Sequence, residues 1–593
     1  MKPASAWIES LSSVEVPSSI ALVQGPGANP SITIDGVYLH SKYRPREEAE
    51  ALIDSLELAQ TEPVLVVGLG LGYHVQVLLE RGFDVCAVEC EPAVAKLALQ
   101  GSLKNTEFLL AVGCADALSR DSELLAFLKK HPQVLLHPPT ARVRSAFVSE
   151  IERLVARAGI EGERLGIAVV GPMYGGSLPI AKYLADAFTA LGHRTLYVDN
   201  SSIWPVYQAI TQSIETRQAN SQLSAMLVNL AGEWSYARVA EFDPNICIVM
   251  AQAPVGADWP ARLNKNEIVT AFWFVENWRH MTYWRDIASR YDYFFHIQPG
   301  EFERQLREAG CPHHAYVQTA CDPRVHKPVE LTSDDERTYG CDLSFAGAGY
   351  HNRNQFFQGL TDYNFKIWGV EWQARELINH VQNPNERFGP EEFAKIVAAS
   401  KINLNLHSSA THNGVDPHCD AINPRVFEIA ACGGFQLCDP CRGLDTLLDP
   451  ETELPVYRDL PELRALIDRF LESPEERQAF ADRARSRVLR DHTYEKRAQQ
   501  MLDLIVDQHG SRILSKGIRA LRTVGEMAER VGVDTALGRY LQSLPKDLPF
   551  TQEAINERIP VMGTKLSYPE ALFSYLREMR NSSEQILAMF EGV

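Results

Sequence analysis

Short, continuous apolar runs alternate along most of the chain with stretches in which apolar residues recur every three or four positions. This is the pattern of strands buried on both faces with helices between them. "EPVLVVGLGLGYHVQVLLERGFDVCAVECEP" predicts a strand from Val64 to Val67, a glycine turn, a helix to Arg81 with Gly82 as its C-cap, and a strand from Val85 to Val88 followed by Glu89. The pattern restarts with "GIAVV", the loop "GPMYGGS" and a helix carrying Ile180, Leu184, Ala187 and Leu191, which Gly192 ends before the strand "TLYV". "ICIVMA", "VTAFWFV" and "YDYFFHI" predict further strands. A third series follows with "CDLSFAGAG", "FKIWGV" and "KINLNLH", then "NPRVFEIAACGGFQLCDP", in which Gly433 and Gly434 close a short helix before an apolar strand. A charged helical stretch runs from Pro461 onward.

These series divide the chain into residues 1–160, a small Rossmann-like domain; 163–330 and 331–507, two consecutive doubly wound halves; and 508–593, a helical region. The last places Leu514, Ile518, Leu521, Val524, Ala528 and Val531 on one face and is expected to pack or to form a homo-oligomer. The fold class is α/β. Neither solenoid-period repeats nor low-complexity tracts appear.

The chain has 593 residues, 45% of them apolar and 23% charged, an ordinary globular composition too long for one core. A net charge of -18 argues against nonspecific binding to nucleic acid or anionic lipid, so any bound phosphate must be held locally. No stretch reaches the roughly 18 to 20 consecutive apolar residues of a membrane span, and "MKPASAWIESLSS" has no apolar core, which together predict a cytoplasmic protein. Eleven cysteines without paired spacing predict reduced thiols. Cys438-x-x-Cys441 lacks a second such pair or a nearby His-x-x-His, and no metal site is expected from it.

Candidate chemistry sits where strands feed helices. Gly68, Gly70 and Gly72 form a loop whose amides can approach a nucleotide, with Glu89 about 20 residues on as a ribose ligand. Tyr73 stands where the third glycine of GxGxxG belongs, so a packing or partner-binding role is the competing reading. Glu428 opens the helix before "AACGG", where a carboxylate can accept hydrogen bonds from two ribose hydroxyls beside a helix N-terminus that favours diphosphate. Each glutamate can equally be a helix cap or a surface group, and each arginine near it a surface ion pair. Tyr174, Gly175 and Gly176 allow close backbone approach to a phosphate or acceptor, or are an ordinary turn. Activation of an acceptor hydroxyl calls for a base in the cleft. Glu276 after "VTAFWFV" is the first candidate, followed by His280, His351 and His407. Trp278 and Trp284 are core residues or sugar-stacking surfaces.

"LSFAGAGYHNRNQFF", "INPRVFEIAACGGFQL" and "RVLRDHTYEKR", in this order, resemble the CgeB-like branch of GT-B glycosyltransferases, whose C-terminal half is glycosyl transferase group 1-like. "LHSKYRPREEAEALI…VLVVGLGLGYHVQVLL" resembles the methyltransferase-like, MptE-like domain of motility-associated (Maf) flagellin glycosyltransferases, in which Ser41-Lys42-Tyr43 and the next helix pack on the Rossmann core. The resemblance implies a GT-B pair of Rossmann-like domains, 163–330 on the acceptor side and 331–507 on the donor side. It implies transfer of a sugar from a UDP-, GDP-, dTDP- or CMP-linked donor to a hydroxyl of a protein, flagellin among the candidates, or of a cell-surface glycan, with neither metal nor cofactor. Carried over by residue, Glu428 matches the second acid of the E-x7-E motif of related retaining enzymes and Asp420 the first; Arg353 and Arg425 approach the donor phosphates; and Gly347, His407 and Asn423 complete the donor side. Asp420, Glu276 and His351 are the catalytic candidates. The competing functions are an S-adenosylmethionine-dependent methyltransferase with an accessory sugar-binding module, although Val66 replaces the usual acidic residue before the glycine loop, and a non-catalytic assembly or scaffold protein.

Overall fold

The computed structural model describes residues 1–590 except 26–28, 57, 60–61, 385, 517–523, 533, 547, 549, 551, 557 and 560–565. It divides into two compact units, residues 1–163 with 499–516, and residues 164–498 with 517–593.

In the first unit, strands Val64–Val67, Val85–Glu89, Leu109–Val112 and Gln133–Leu136 form a parallel sheet, which Lys2–Pro3 extends antiparallel at the Leu109–Val112 edge. The two-residue side-chain period explains the continuous apolar run: Val64 and Val66 enter one buried cluster, Leu65 and Val67 the other, so both faces are covered. Helix Pro45–Asp54 buries Ala49 and Ile53 in the first cluster, whereas Tyr43 is exposed. A three-stranded antiparallel sheet, Ile20–Val23, Ser31–Ile34 and Val37–Tyr38, lies outside the alternation that periodicity detects.

The second unit carries two parallel sheets. The first has the order Arg194–Val198, Gly166–Val170, Ile246–Met250, Val269–Phe274, Tyr293–His296, His314–Tyr316. The second has the order Phe365–Trp368, Cys341–Ala346, Ser400–Asn405, Gln436–Cys438. In both, the chain leaves the first strand to one side and returns on the other, so the crevice beyond its carboxyl end is the place for a ligand. The loop after Gly166–Val170 is "GPMYGGS", and the loop after Cys341–Ala346 is "GAGYHNR". The molecule is thus an α/β GT-B pair of Rossmann-like halves, with a smaller Rossmann-like unit and a helical C-terminal region.

Three features differ from the sequence-based expectation. The three-residue strand His314–Tyr316 is too short for an apolar run to announce it. Helix Arg217–Phe242 leaves Leu223, Met226, Leu230 and Trp234 exposed and mixes polar residues into every face, which blurs its period. Helix Tyr494–Lys516 runs through the 507/508 boundary and gives its residues from Gln499 to the first unit. In the helical region Val524 and Ala528 are buried with Leu541 and Ile555, while Ile518 and Leu521 lie outside the described residues.

Candidate functional site

A cleft of about 480 Å³ lies between the two halves of the second unit. One wall comes from Gly175, Gly176, Leu178, Pro179 and Tyr183, at the carboxyl end of the first half's leading strand. The other comes from Gly347, Ala348, Arg353, Asn405, Asn423, Arg425 and Glu428. Gly175 has φ of +101°, and a Cβ there would meet Gln252 Oε1 at 3.1 Å, so the backbone turns where a side chain would be strained.

Arg353 is buried, with only 7% of its surface exposed. Its Nε and Nη2 donate to the Leu406 carbonyl at 2.9 and 2.7 Å, and its Nη1 donates to the Ala348 carbonyl at 2.9 Å. Among the described residues no carboxylate lies within 4.0 Å of it. Burial pulls its pKa down to about 10, although it remains a cation at neutral pH. A buried guanidinium steadied by neutral carbonyls in a cleft wall is a positive centre without a paired anion.

Glu428, 5% exposed, sits in the first turn of helix Arg425–Ala431 and pairs with Arg425. His326 Nε2 stands 3.7 Å from its Oε1. His326 Nδ1 accepts the Asp322 amide at 3.0 Å, which leaves Nε2 to carry the proton and turn it toward Glu428. Arg425 lies over the rings of Phe393 and Phe388, 4.2 and 5.4 Å from their centroids, so it is held flat against the cleft floor. Asn423 Nδ2 donates to Asn405 Oδ1 at 2.8 Å, leaving Asn423 Oδ1 and Asn405 Nδ2 buried without hydrogen-bond partners among the described residues: one acceptor and one donor in the cleft wall.

The helix N-terminus offers less than its sequence position suggests. The amides of Val426, Phe427 and Glu428 already donate to the carbonyls of Asn423 and Pro424, because the first turn is tight. Four other expectations are corrected by the geometry. Asp420 is 4% exposed and accepts Arg279 Nη1 and Nη2 at 2.9 and 2.8 Å and Gln298 Nε2 at 2.6 Å, so its carboxylate ties the halves together outside the cleft lining. His351 is exposed and bonded to Asn413 at 2.9 Å, because the helix it opens turns its ring to solvent. His407 is buried outside the lining, with its Nδ1 2.7 Å from Asp439 Oδ1. Tyr174 turns away and stacks on Trp204 at 3.9 Å. Trp278 and Trp284 are 7% and 1% exposed and pack on Phe302, so both are core. His280 lies exposed in the loop after Trp278.

Glu276 is not part of the cleft lining and lies just past the end of strand Val269–Phe274, with a strongly perturbed carboxyl. Burial alone lifts its pKa to about 7, and among the described residues it has no ion-pair partner. Tyr283, whose own pKa feels the Glu276 charge, bonds through its hydroxyl to the Gln252 amide at 3.1 Å, and Gln252 stands behind Gly175. Glu276 is thus linked to the glycine loop only indirectly, through its charge on Tyr283 and the hydrogen bond of Tyr283 with Gln252.

In the first unit the glycine loop is filled by protein. Glu89, 2% exposed, accepts the Leu69 amide at 2.8 Å and the Glu91 amide at 3.0 Å; His40 Nε2 accepts the Leu71 amide at 2.8 Å. Cβ atoms at Gly68, Gly70 and Gly72 would lie 2.5, 2.4 and 2.3 Å from Thr140, His40 and Leu103. His40, His74 and His137 each offer a ring nitrogen within 4.8 Å of the others. Burial depresses all three pKa values, but His40 Nε2 and His74 Nε2 are already engaged with the Leu71 amide and the Gly68 carbonyl, which marks a packed imidazole cluster.

Tyr183, His326, Asn405, Glu371 and Arg387 also line the main cleft, and sequence reasoning passed over them. Residues 321–328, "CDPRVHKP", run up to the 330/331 boundary between the halves and carry no motif, and only their return to the cleft makes His326 a site residue. Arg387 precedes Phe388-Gly389-Pro390, a loop signal with a cation beside it.

Residues 353–503 match a family model described as glycosyl transferase-like. The spore protein CgeB of Bacillus subtilis (strain 168) is 22% identical over 299 residues, covering 49% of this chain and 91% of that protein. Sucrose-phosphate synthase from Thermosynechococcus elongatus aligns with 57% of this chain and 98% of its own at 13% identity, with a TM-score of 0.41. The Anabaena protein HepE in complex with UDP-glucose aligns with 57% and 98% at 9% identity, with a TM-score of 0.40. The segment matched by the family model begins at Arg353 and includes Glu371, Arg387, Arg425 and Glu428, so five of the cleft's charged residues fall within glycosyl transferase-like sequence.

Proposed function

We propose that the second unit is a glycosyltransferase that binds a nucleotide-sugar donor in the cleft and transfers the sugar to a hydroxyl. The observation that carries this reading is Arg353: a buried cation whose hydrogen bonds, among the described residues, go to carbonyls only, in the same cleft as a buried carboxylate, Glu428. The donor diphosphate lies against Arg353 and Arg425, and Glu428 accepts hydrogen bonds from the ribose. Asn405 and Asn423 supply a free donor and a free acceptor to the nucleoside or sugar.

In the reaction the acceptor oxygen bonds to the anomeric carbon as the bond from that carbon to the phosphate oxygen breaks. The nucleoside diphosphate leaves with the electron pair, and the guanidinium groups neutralise the charge it gains. The acceptor proton passes by way of one water to Glu276, which stands outside the cleft lining and whose pKa of about 7 suits a general base at neutral pH. A UDP-, GDP- or dTDP-linked donor fits these contacts equally, whereas a CMP-linked donor would leave as a monophosphate and engage fewer of them; the acceptor is read as a protein, such as flagellin, or a cell-surface glycan.

Calorimetry with UDP, GDP, dTDP and CMP, followed by transfer assays with the matching nucleotide sugars, tests the proposal. One nucleotide is expected to bind, and Arg353→Lys to weaken it at least about tenfold, since a point charge cannot hold both carbonyls and a phosphate. Glu428→Gln should weaken the nucleotide but not inorganic pyrophosphate. If no nucleotide binds and no donor is consumed, the assignment is wrong.

A further inference from the structure

A second constellation of polar side chains lies outside the cleft lining, at the carboxyl ends of strands Ser400–Asn405 and Gln436–Cys438. A His407 ring nitrogen and the sulfurs of Cys419 and Cys441 all lie within 4.8 Å of one another. The two sulfurs are 3.1 Å apart, well beyond the ~2.05 Å of a disulfide. His407 is 2% exposed. Its Nδ1 is bound to Asp439 Oδ1 at 2.7 Å, and the same oxygen accepts the His407 amide at 2.8 Å. Among the described residues its buried Nε2 has no hydrogen-bond partner.

We propose that His407 Nε2, Cys419 Sγ and Cys441 Sγ bind a zinc ion, with Asp439 as the carboxylate that orients the histidine. Three things point to zinc rather than to a simple thiol pair. Asp439 commits Nδ1 and so leaves Nε2 as the ligand atom, which is the carboxylate–histidine–metal relay that fixes tautomer and ring orientation. A disulfide would leave Nε2 orphaned, whereas a metal satisfies it. Two soft thiolates and one imidazole are a zinc donor set, and ligand atoms on a tetrahedral zinc stand about 3.3 to 3.8 Å apart, within reach of small side-chain shifts here. On binding, both thiols give up their protons to solvent and the sulfurs coordinate as thiolates. The fourth position is open to the Cys438 sulfur, which groups with His407 and Asp439 within 4.8 Å, or to water.

Sequence spacing conceals the site, because the partner of Cys441 is Cys419 in a distant loop and not Cys438, whose sulfur lies 3.9 Å from Asp439 Oδ1. The ion would bind three separate pieces of chain: the exit of strand Ser400–Asn405, the exit of strand Gln436–Cys438, and the loop at Cys419. Asp420 follows directly and reaches across to Arg279 and Gln298. Zinc therefore anchors the loop that joins the two halves, a structural role separate from the transfer chemistry.

The test is metal analysis of the full chain purified under reducing conditions, together with cobalt substitution. One zinc per chain is expected, with a thiolate-to-cobalt charge-transfer band on exchange. Cys114→Ser, an exposed thiol in the other unit, should keep the metal, and Cys419→Ser and Cys441→Ser should each lose it. Thiol alkylation of the unmutated protein, mapped by peptide mass, needs no variant: zinc should protect Cys419 and Cys441 together. Absence of stoichiometric zinc after loading, with both thiols reacting at equal rates with and without it, would overturn the proposal. A peptide mass showing a Cys419–Cys441 disulfide in the zinc-loaded protein would do the same.

Discussion

Replacing Glu276 with Gln separates the energetic cost of this carboxyl from its chemistry. Burial raises its pKa from 4.5 to about 7, and each unit corresponds to about 1.4 kcal/mol, so the ionised carboxylate destabilises the folded chain by roughly 3 kcal/mol. Below pH 4.5 both folded and unfolded states hold the proton and nothing is lost. As pH rises toward 7 the unfolded state releases its proton first, the folded state falls behind, and above pH 7 the penalty is constant. Gln keeps the size and removes the charge. The stability difference between Glu276→Gln and the parent should therefore grow from near zero at pH 4.5 to roughly 3 kcal/mol in favour of the variant at pH 8. Parallel urea titrations across this range measure it, and the comparison cancels the other titrating groups. In the transfer assay the parent's kcat/KM should rise through about pH 7, while the variant loses that limb and falls about 10²- to 10⁴-fold. A stability difference that stays flat from pH 5 to 8 would refute the burial argument. An unchanged pH–rate profile would remove Glu276 from the reaction.

Asp420→Ala should destabilise the second unit by about 2 kcal/mol, mostly because Gln298 Nε2 loses its acceptor in a buried position, with the half-exposed Arg279 adding little; a double-mutant cycle with Arg279→Ala, read by thermal unfolding, checks it. Gly70→Ala, at φ +50° with its Cβ 2.4 Å from His40 Nε2, should cost the first unit about 2 to 4 kcal/mol, whereas Gly82→Ala, at φ +83° with open space around it, should cost about 1 kcal/mol. Equal melting shifts for the two glycine variants would contradict the filled-loop description.

Much of the architecture is legible locally. Val64–Val67, Gly166–Val170, Cys341–Ala346 and Ser400–Asn405 are runs whose every residue, or nearly every one, is apolar or tucked inside, and a strand covered on both faces requires that composition wherever it falls. Gly82, Gly192 and Gly433 have positive φ where helices stop, so punctuation too is written in the chain. Strand His314–Tyr316 and helix Arg217–Phe242 escaped because a three-residue edge and a mostly solvated helix carry little periodic signal.

Side-chain roles follow a different rule, since they depend on what arrives from elsewhere. The sequence by itself determined that Glu428 begins a helix and that Arg353 follows a strand, and both line one cleft because βα loops collect at the carboxyl ends of a parallel sheet. Only the tertiary structure decided that Asp420 is taken by Arg279 and Gln298, that His351 faces water, that His326 joins Glu428, and that Cys441 meets Cys419 instead of Cys438. Backbone periodicity is a short-range property of neighbouring residues. Which carboxylate or thiol stays unpaired is set by residues up to about 140 positions away, brought close only when the halves fold and pack.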